Sequence, residues 1–142
     1  MSQSNTQEGD FLITANEDLS AYADVLVAPY NHSGSLVTTR PVANNDSAIY
    51  VLLYGAPQGG QATVRPLNPN RTVRIVAKGT GNPGDQLVLA DGVTTAADRG
   101  KVRSAAGLTA GSGTYRVVGS AEEAFVDGQL VRTRPTFGTV TV

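Results

Sequence analysis

The sequence predicts an all-β fold: a compact small barrel or sandwich of short antiparallel strands, with an extended N-terminal arm. Two observations carry this expectation. The 142-residue chain is rich in Gly (16), Thr, Val and Ala and poor in the helix-favouring Lys, Met and Glu. From Phe11 onward, short β-like runs are separated by Gly, Pro, Asn and Asp, the punctuation of strands and turns. No window shows the 3.6-residue periodicity of an amphipathic helix.

The elements follow in order. Residues 1–10, MSQSNTQEGD, are polar and aperiodic and read as an extended arm, flexible when free. Residues 11–142 then read as one β-rich domain, of a size that buries a core without staples. Its runs are FLIT (11–14), DVLVA (24–28), SLVTT (35–39), AIYVLLY (48–54), QATVR (61–65) and TVRIVAK (72–78). QLVLA (86–90), KVRS (101–104), YRVVGSA (115–121), QLVRTR (129–134) and TVTV (139–142) complete the series. In TVRIVAK, Val73, Ile75 and Ala77 alternate with Arg74 and Lys78, so one face points inward. Ile49–Tyr54 does not alternate. It should be covered on both faces, either as a central strand or by another subunit. Ser120-Ala121-Glu122-Glu123 fits a capping box with room for at most one helical turn.

A weak internal repeat relates 36–66 to 101–135. Gly60-Gln61 matches Gly128-Gln129, and Arg65-Pro66 matches Arg134-Pro135 with one residue inserted. Thr39-Arg40-Pro41 is a third Arg-Pro at a strand end. Pro lacks an N–H and so ends ladder pairing there. Two such β units could pack as a pseudo-symmetric barrel. The plainer reading is that any two three-strand meanders look alike.

Composition narrows the function. Eleven basic and twelve acidic residues give a net charge of −1, which makes no electrostatic case for nucleic acid or an anionic membrane. Nine of the bases are Arg, a residue suited to protein interfaces, although a GC-rich genome gives the same bias. No stretch approaches the roughly 20 apolar residues of a membrane helix. The N-terminus lacks the basic and apolar regions of a signal peptide, so the expectation is a protein made in the cytosol.

The catalytic inventory is thin. There is no cysteine and one histidine, His32, placed by the sequence in a turn, PYNHSGS. No G-x-S-x-G elbow accompanies it. Most of the aspartates lie in turns, where their side chains bond nearby backbone N–H groups. Asp91 and Asp98 lack the spacing of a calcium loop. GTGNPGD (79–85) lacks the G-K-[ST] of a phosphate loop and reads as a turn. The expectation is a non-enzyme with no metal and no cofactor. Candidate interface residues are Phe11, Tyr50 and Tyr54, together with Arg40, Arg65 and Arg134 beside prolines. The plain reading of these is core packing for the aromatics and solvated strand ends for the arginines.

The pattern resembles the small capsid cement, or head decoration, proteins of tailed bacteriophages. The segments that carry it are Pro83-Gly84-Asp85-Gln86-Leu87, Val118-Gly119-Ser120-Ala121-Glu122-Glu123 with Gly128-Gln129-Leu130, and Asp18-Leu19-Ser20. It spans about residues 18–135. The resemblance implies a trimer on the outer surface of the expanded capsid, bridging adjacent major capsid protein subunits, with no catalytic residue to carry over. An arm could then add a strand to a neighbouring sheet edge. The rivals are another virion part (tail-tube, fibre-base or head-fibre domain) and a carbohydrate-binding β module, the latter disfavoured by the absence of Trp.

Overall fold

The computed structural model describes residues 9–142. Most of the expected arm therefore lies outside the described residues. The rest is all-β. Ten strands occur in order: β1 (Phe11–Ala15), β2 (Leu26–His32), β3 (Ser35–Thr39), β4 (Tyr50–Tyr54), β5 (Gln61–Pro66), β6 (Val73–Val76), β7 (Gln86–Leu89), β8 (Val102–Ser104), β9 (Thr114–Ala121) and β10 (Leu130–Thr141). Among the described residues, only two one-turn 3-10 segments, at Ala96–Asp98 and Ala105–Gly107, interrupt them. No helical turn forms after Ser120, because β9 runs through Ala121 and Glu122-Glu123 makes a bend.

Strands β1–β5 close a barrel in the order β1-β3-β2-β4-β5, antiparallel except where β1 meets β3 in parallel. Strands β6–β10 form a second, curled sheet, β6-β10-β9-β7-β8. Adding five to each strand number converts the first arrangement into the second, and the registers agree. Phe11 opposes Val64 as Val73 opposes Thr133. Tyr50 opposes Pro66 as Gly119 opposes Pro135. Ala28 opposes Thr39 as Val88 opposes Arg103. The parallel pairing Ala15–Thr38 that closes the barrel reappears as a single bridge, Ala77–Val102.

The turn bonds repeat as well. Ala15 N–H donates to Gly60 O and its carbonyl accepts from Gly59; Ala77 does the same with Gln129 and Gly128. Gly59 and Gly128 share a left-handed conformation, with φ of 85° and 81°. The repeat is thus larger than the sequence suggests, covering 11–66 and 73–135. Its anchor also shifts by one: Gly59, not Gly60, corresponds to Gly128. With that shift Arg65-Pro66 aligns on Arg134-Pro135 without an insertion.

One apolar cluster joins the two units. Leu26, Ala48, Val51 and Leu67 of the first pack with Val73, Ile75, Leu87, Leu89, Val102, Val118 and Val131 of the second. A second cluster, with Ile13, Leu19, Val25, Val27, Leu52 and Val64, fills the barrel interior. Neighbouring residues on β2 and β4 therefore serve different cores: Val27 and Leu52 point into the barrel, and Leu26 and Val51 point out into the seam. This explains the doubly apolar run at 49–54. Its outer face at Val51 and Leu53 is covered by the second β unit of the same chain, while Tyr54 at its end stays exposed. Val73, Ile75 and Ala77 are buried, as their alternation predicts.

Two further expectations change. His32 ends strand β2, because the turn is the two-residue Ser33-Gly34, both left-handed at φ 51° and 85°. Pro135 does not end its strand. QLVRTR and TVTV fuse into β10, and a register shift between Pro135 and Gly138 absorbs the missing N–H.

Candidate functional site

Parity along β1 and β5 sets the outer wall of the barrel. Ile13 and Ala15 are buried inward, so Asp10, Leu12 and Thr14 face out. Leu12 and Tyr54 both lie opposite Thr63, one on each side of β5. Cross-strand partners share a face. Leu12 and Tyr54 thus flank Thr63 in one row, 63% and 73% exposed. Beside them Arg65 grips Asp10 through two bonds, Nε to Oδ1 at 2.7 Å and Nη2 to Oδ2 at 3.0 Å. The Arg65 hydrogen bonds hold the Asp10 carboxyl below its ordinary range. An apolar row rimmed by a fixed ion pair is the composition of an interface core with a polar edge.

The six residues singled out from the sequence divide. Tyr54 and Arg65 lie on this wall. Phe11 and Tyr50 meet edge to face, centroids 5.3 Å apart, and pack on the barrel core. Arg134 lies on the second unit and pairs with Glu122 at 3.3 Å. Arg40 is buried. Its Nε donates to Glu17 Oε1 at 2.7 Å, and its guanidinium lies 4.0 Å over the Tyr22 ring. Leu12 was hidden in the sequence because it stands in an unbroken apolar run, Phe11-Leu12-Ile13, where one-residue parity cannot be seen.

Arg40 belongs to a network that ties the units together. Glu17 accepts from Thr39 Oγ1, from Arg40 Nε and from Arg99 Nη2 (2.9 Å). Arg99 comes from the β7–β8 loop and also donates to the carbonyls of Arg40 (2.6 Å) and Pro41 (3.1 Å). Nothing around Arg99 in ADGVTTAADRG signals this role in sequence. Burial pushes the Glu17 carboxyl up, but the bonds from Thr39 and Arg40 and the charges of Arg40 and Arg99 together leave it lowered. A lowered folded pKa makes this stabilisation full above the ordinary value of 4.5 and lost as pH falls through the folded pKa. Glu17→Gln should cost about 2 kcal/mol at pH 7. The deficit should shrink as pH falls below 4.5 and vanish once the pH has passed through the lowered folded pKa. Urea denaturation along a pH series from 7 down to the onset of acid unfolding checks both; a deficit that stays constant throughout refutes the ionic assignment.

Among the described residues, no cluster of three or more His, Asp or Glu could hold a metal ion, and no helix is long and apolar enough to cross a membrane. Asp91 Oδ1 accepts from the Thr94 N–H, and Asp98 faces Lys101 at 3.3 Å and Lys78 at 3.8 Å.

Comparison with known protein families finds no match. None is found among curated proteins either. Among solved structures the chain is similar to the N base of the head fiber protein gp8.5 of bacteriophage phi29. The TM-score is 0.63 at 19% identity, over 89% of this chain and 92% of that one. The two chains share a fold. The match takes in both β units, since its coverage exceeds what either unit alone supplies.

Proposed function

We propose that this protein is a structural component of a phage virion that is seated on the head through the outer wall of its first barrel. The observation that carries the reading is the fold shared along nearly its whole length with the base of a head fiber. The exposed Leu12–Thr63–Tyr54 row with its Asp10–Arg65 rim supports it as the contact face. Tyr is a common energetic anchor of such patches. In this reading the chain attaches an appendage or itself coats the head, and the major capsid protein is its partner.

A second reading, a trimeric cement that bridges capsid subunits and stabilises the expanded shell, is favoured by the sequence resemblance over 18–135. Many weak contacts repeated over a lattice would add through avidity. The two readings share one test. Purified protein is mixed with expanded heads that lack it, the heads are sedimented, and bound density is imaged. Density on the head lattice is expected; density confined to the tail, or no binding, overturns the proposal. Tyr54→Asp should weaken head binding about tenfold or more with the fold intact. Protection of heads against heat or chelator distinguishes the cement from the fiber base.

A further inference from the structure

The repeat makes the two β units controls for each other at one position. Asn16 N–H donates to Thr38 O as Lys78 N–H donates to Val102 O, at 2.8 and 2.7 Å. The next residue is therefore Glu17 in one unit and Gly79 in the other. By strand register Thr39 corresponds to Arg103 and Arg40 to Ser104. In the first unit this position is full: the Glu17 carboxylate is held by Thr39, Arg40 and Arg99, and Arg40 covers Tyr22.

In the second unit the same position is a pocket of about 370 Å³, with Lys78, Gly79, Asp85, Arg103 and Ser104 in its wall. A Cβ built on Gly79 would meet nothing within 4 Å. Two cations line the pocket, and no side chain stands at position 79, whose N–H donates to Asp127 Oδ1 at 2.8 Å. Arg103 bonds to the carbonyl of Gly107 at 3.0 Å and pairs with no carboxylate among the described residues. Lys78 stands 3.8 Å from Asp98, which Lys101 approaches more closely. The one acid in the wall, Asp85, has Oδ2 occupied by the Asn82 N–H (3.0 Å) and the Ser104 hydroxyl (2.9 Å), so it braces the glycine-rich loop.

We propose that this pocket takes a carboxylate from outside the chain, an acidic side chain on a segment of a partner protein laid against the 79–85 loop. The incoming group occupies the place that Glu17 fills in the first unit and is held by Arg103 and Lys78. Gly79 keeps the approach free of a side chain. The inference does not depend on where the protein sits in a particle.

Amide chemical shifts of the labelled full chain test it, with a capped tetrapeptide carrying two adjacent glutamates as the probe. The glutamate peptide should shift amides of 78–85 and 103–107, and more weakly as salt is raised. Arg103→Gln should weaken binding about tenfold, and Lys78→Gln should also weaken it, with distant amides unchanged in both. Three results overturn it: equal affinity for the matching two-glutamine peptide, equal affinity for inorganic phosphate, or undiminished binding by Arg103→Gln. Binding of a neutral oligosaccharide at the same amides in place of the peptide also overturns it. None of these outcomes bears on attachment to the head, which the Tyr54 variant reads separately.

Discussion

Gly55→Ala should abolish folding or cost more than about 3 kcal/mol. A Cβ at Gly55 would stand 1.7 Å from the Leu19 carbonyl oxygen and 2.6 Å from its carbon. Both are backbone atoms. The 18–22 segment cannot withdraw, because Leu19 N–H donates to Ala56 O at 2.8 Å and the Leu19 side chain is fully buried in the barrel core. Gly59 supplies the contrast. It is left-handed at φ 85° but a Cβ there meets nothing within 4 Å, so Gly59→Ala should cost only about 1 kcal/mol, the conformational penalty. Circular dichroism with urea titration of the two variants checks the pair. Similar stabilities would mean that the chain crossing at Leu19 yields easily.

Leu26→Ala should cost about 3 kcal/mol and leave a single cooperative transition. Leu26 is fully buried, yet it faces away from its own barrel into the seam, against the second unit. Backbone bonds cross the seam beside it, from Leu26 N–H to Gly100 O at 2.8 Å and from Val76 N–H to Asp24 O at 2.9 Å. A shared core and backbone bonds across the seam make each unit part of the other's interior. Two separated transitions in calorimetry, in wild type or variant, would contradict this coupling.

The strands were legible because the turns announce themselves. Gly, Asn, Asp and Pro separate almost every β run, and every run found in the sequence overlaps a strand. The error at β2 has a physical source: Pro29 and Asn31 look like turn residues. Pro29 lies where only β3 flanks β2, since β4 pairs only with Leu26 and Val27. That position spares its missing N–H. The first two strands of the repeat stayed hidden because register, not identity, relates them. Asp24 and Gly84 share a left-handed backbone, φ 60° and 87°, while sharing no side-chain chemistry. The outer wall was half visible. Tyr54 could be picked as an aromatic at the end of an apolar strand, but Leu12 needed the β1–β5 register. Arg40 looked like a surface residue; it is buried, because Glu17 and Tyr22 come from a loop that sequence cannot bring near.

The matched registers also set a problem for the chain as it folds. A strand of either unit finds, in the other, a ladder of the right spacing and direction, so swapped pairings compete with native ones during collapse. Side chains at equivalent places must break the tie. Val25 enters the barrel core where its counterpart Asp85 needs Ser104 and a loop amide, and Tyr50 needs Phe11 where its counterpart Gly119 leaves no room at all: a Cβ there would lie 2.2 Å from Arg134 O. Those mismatches act as labels, written in polarity and volume, that tell two otherwise interchangeable halves which partner is their own.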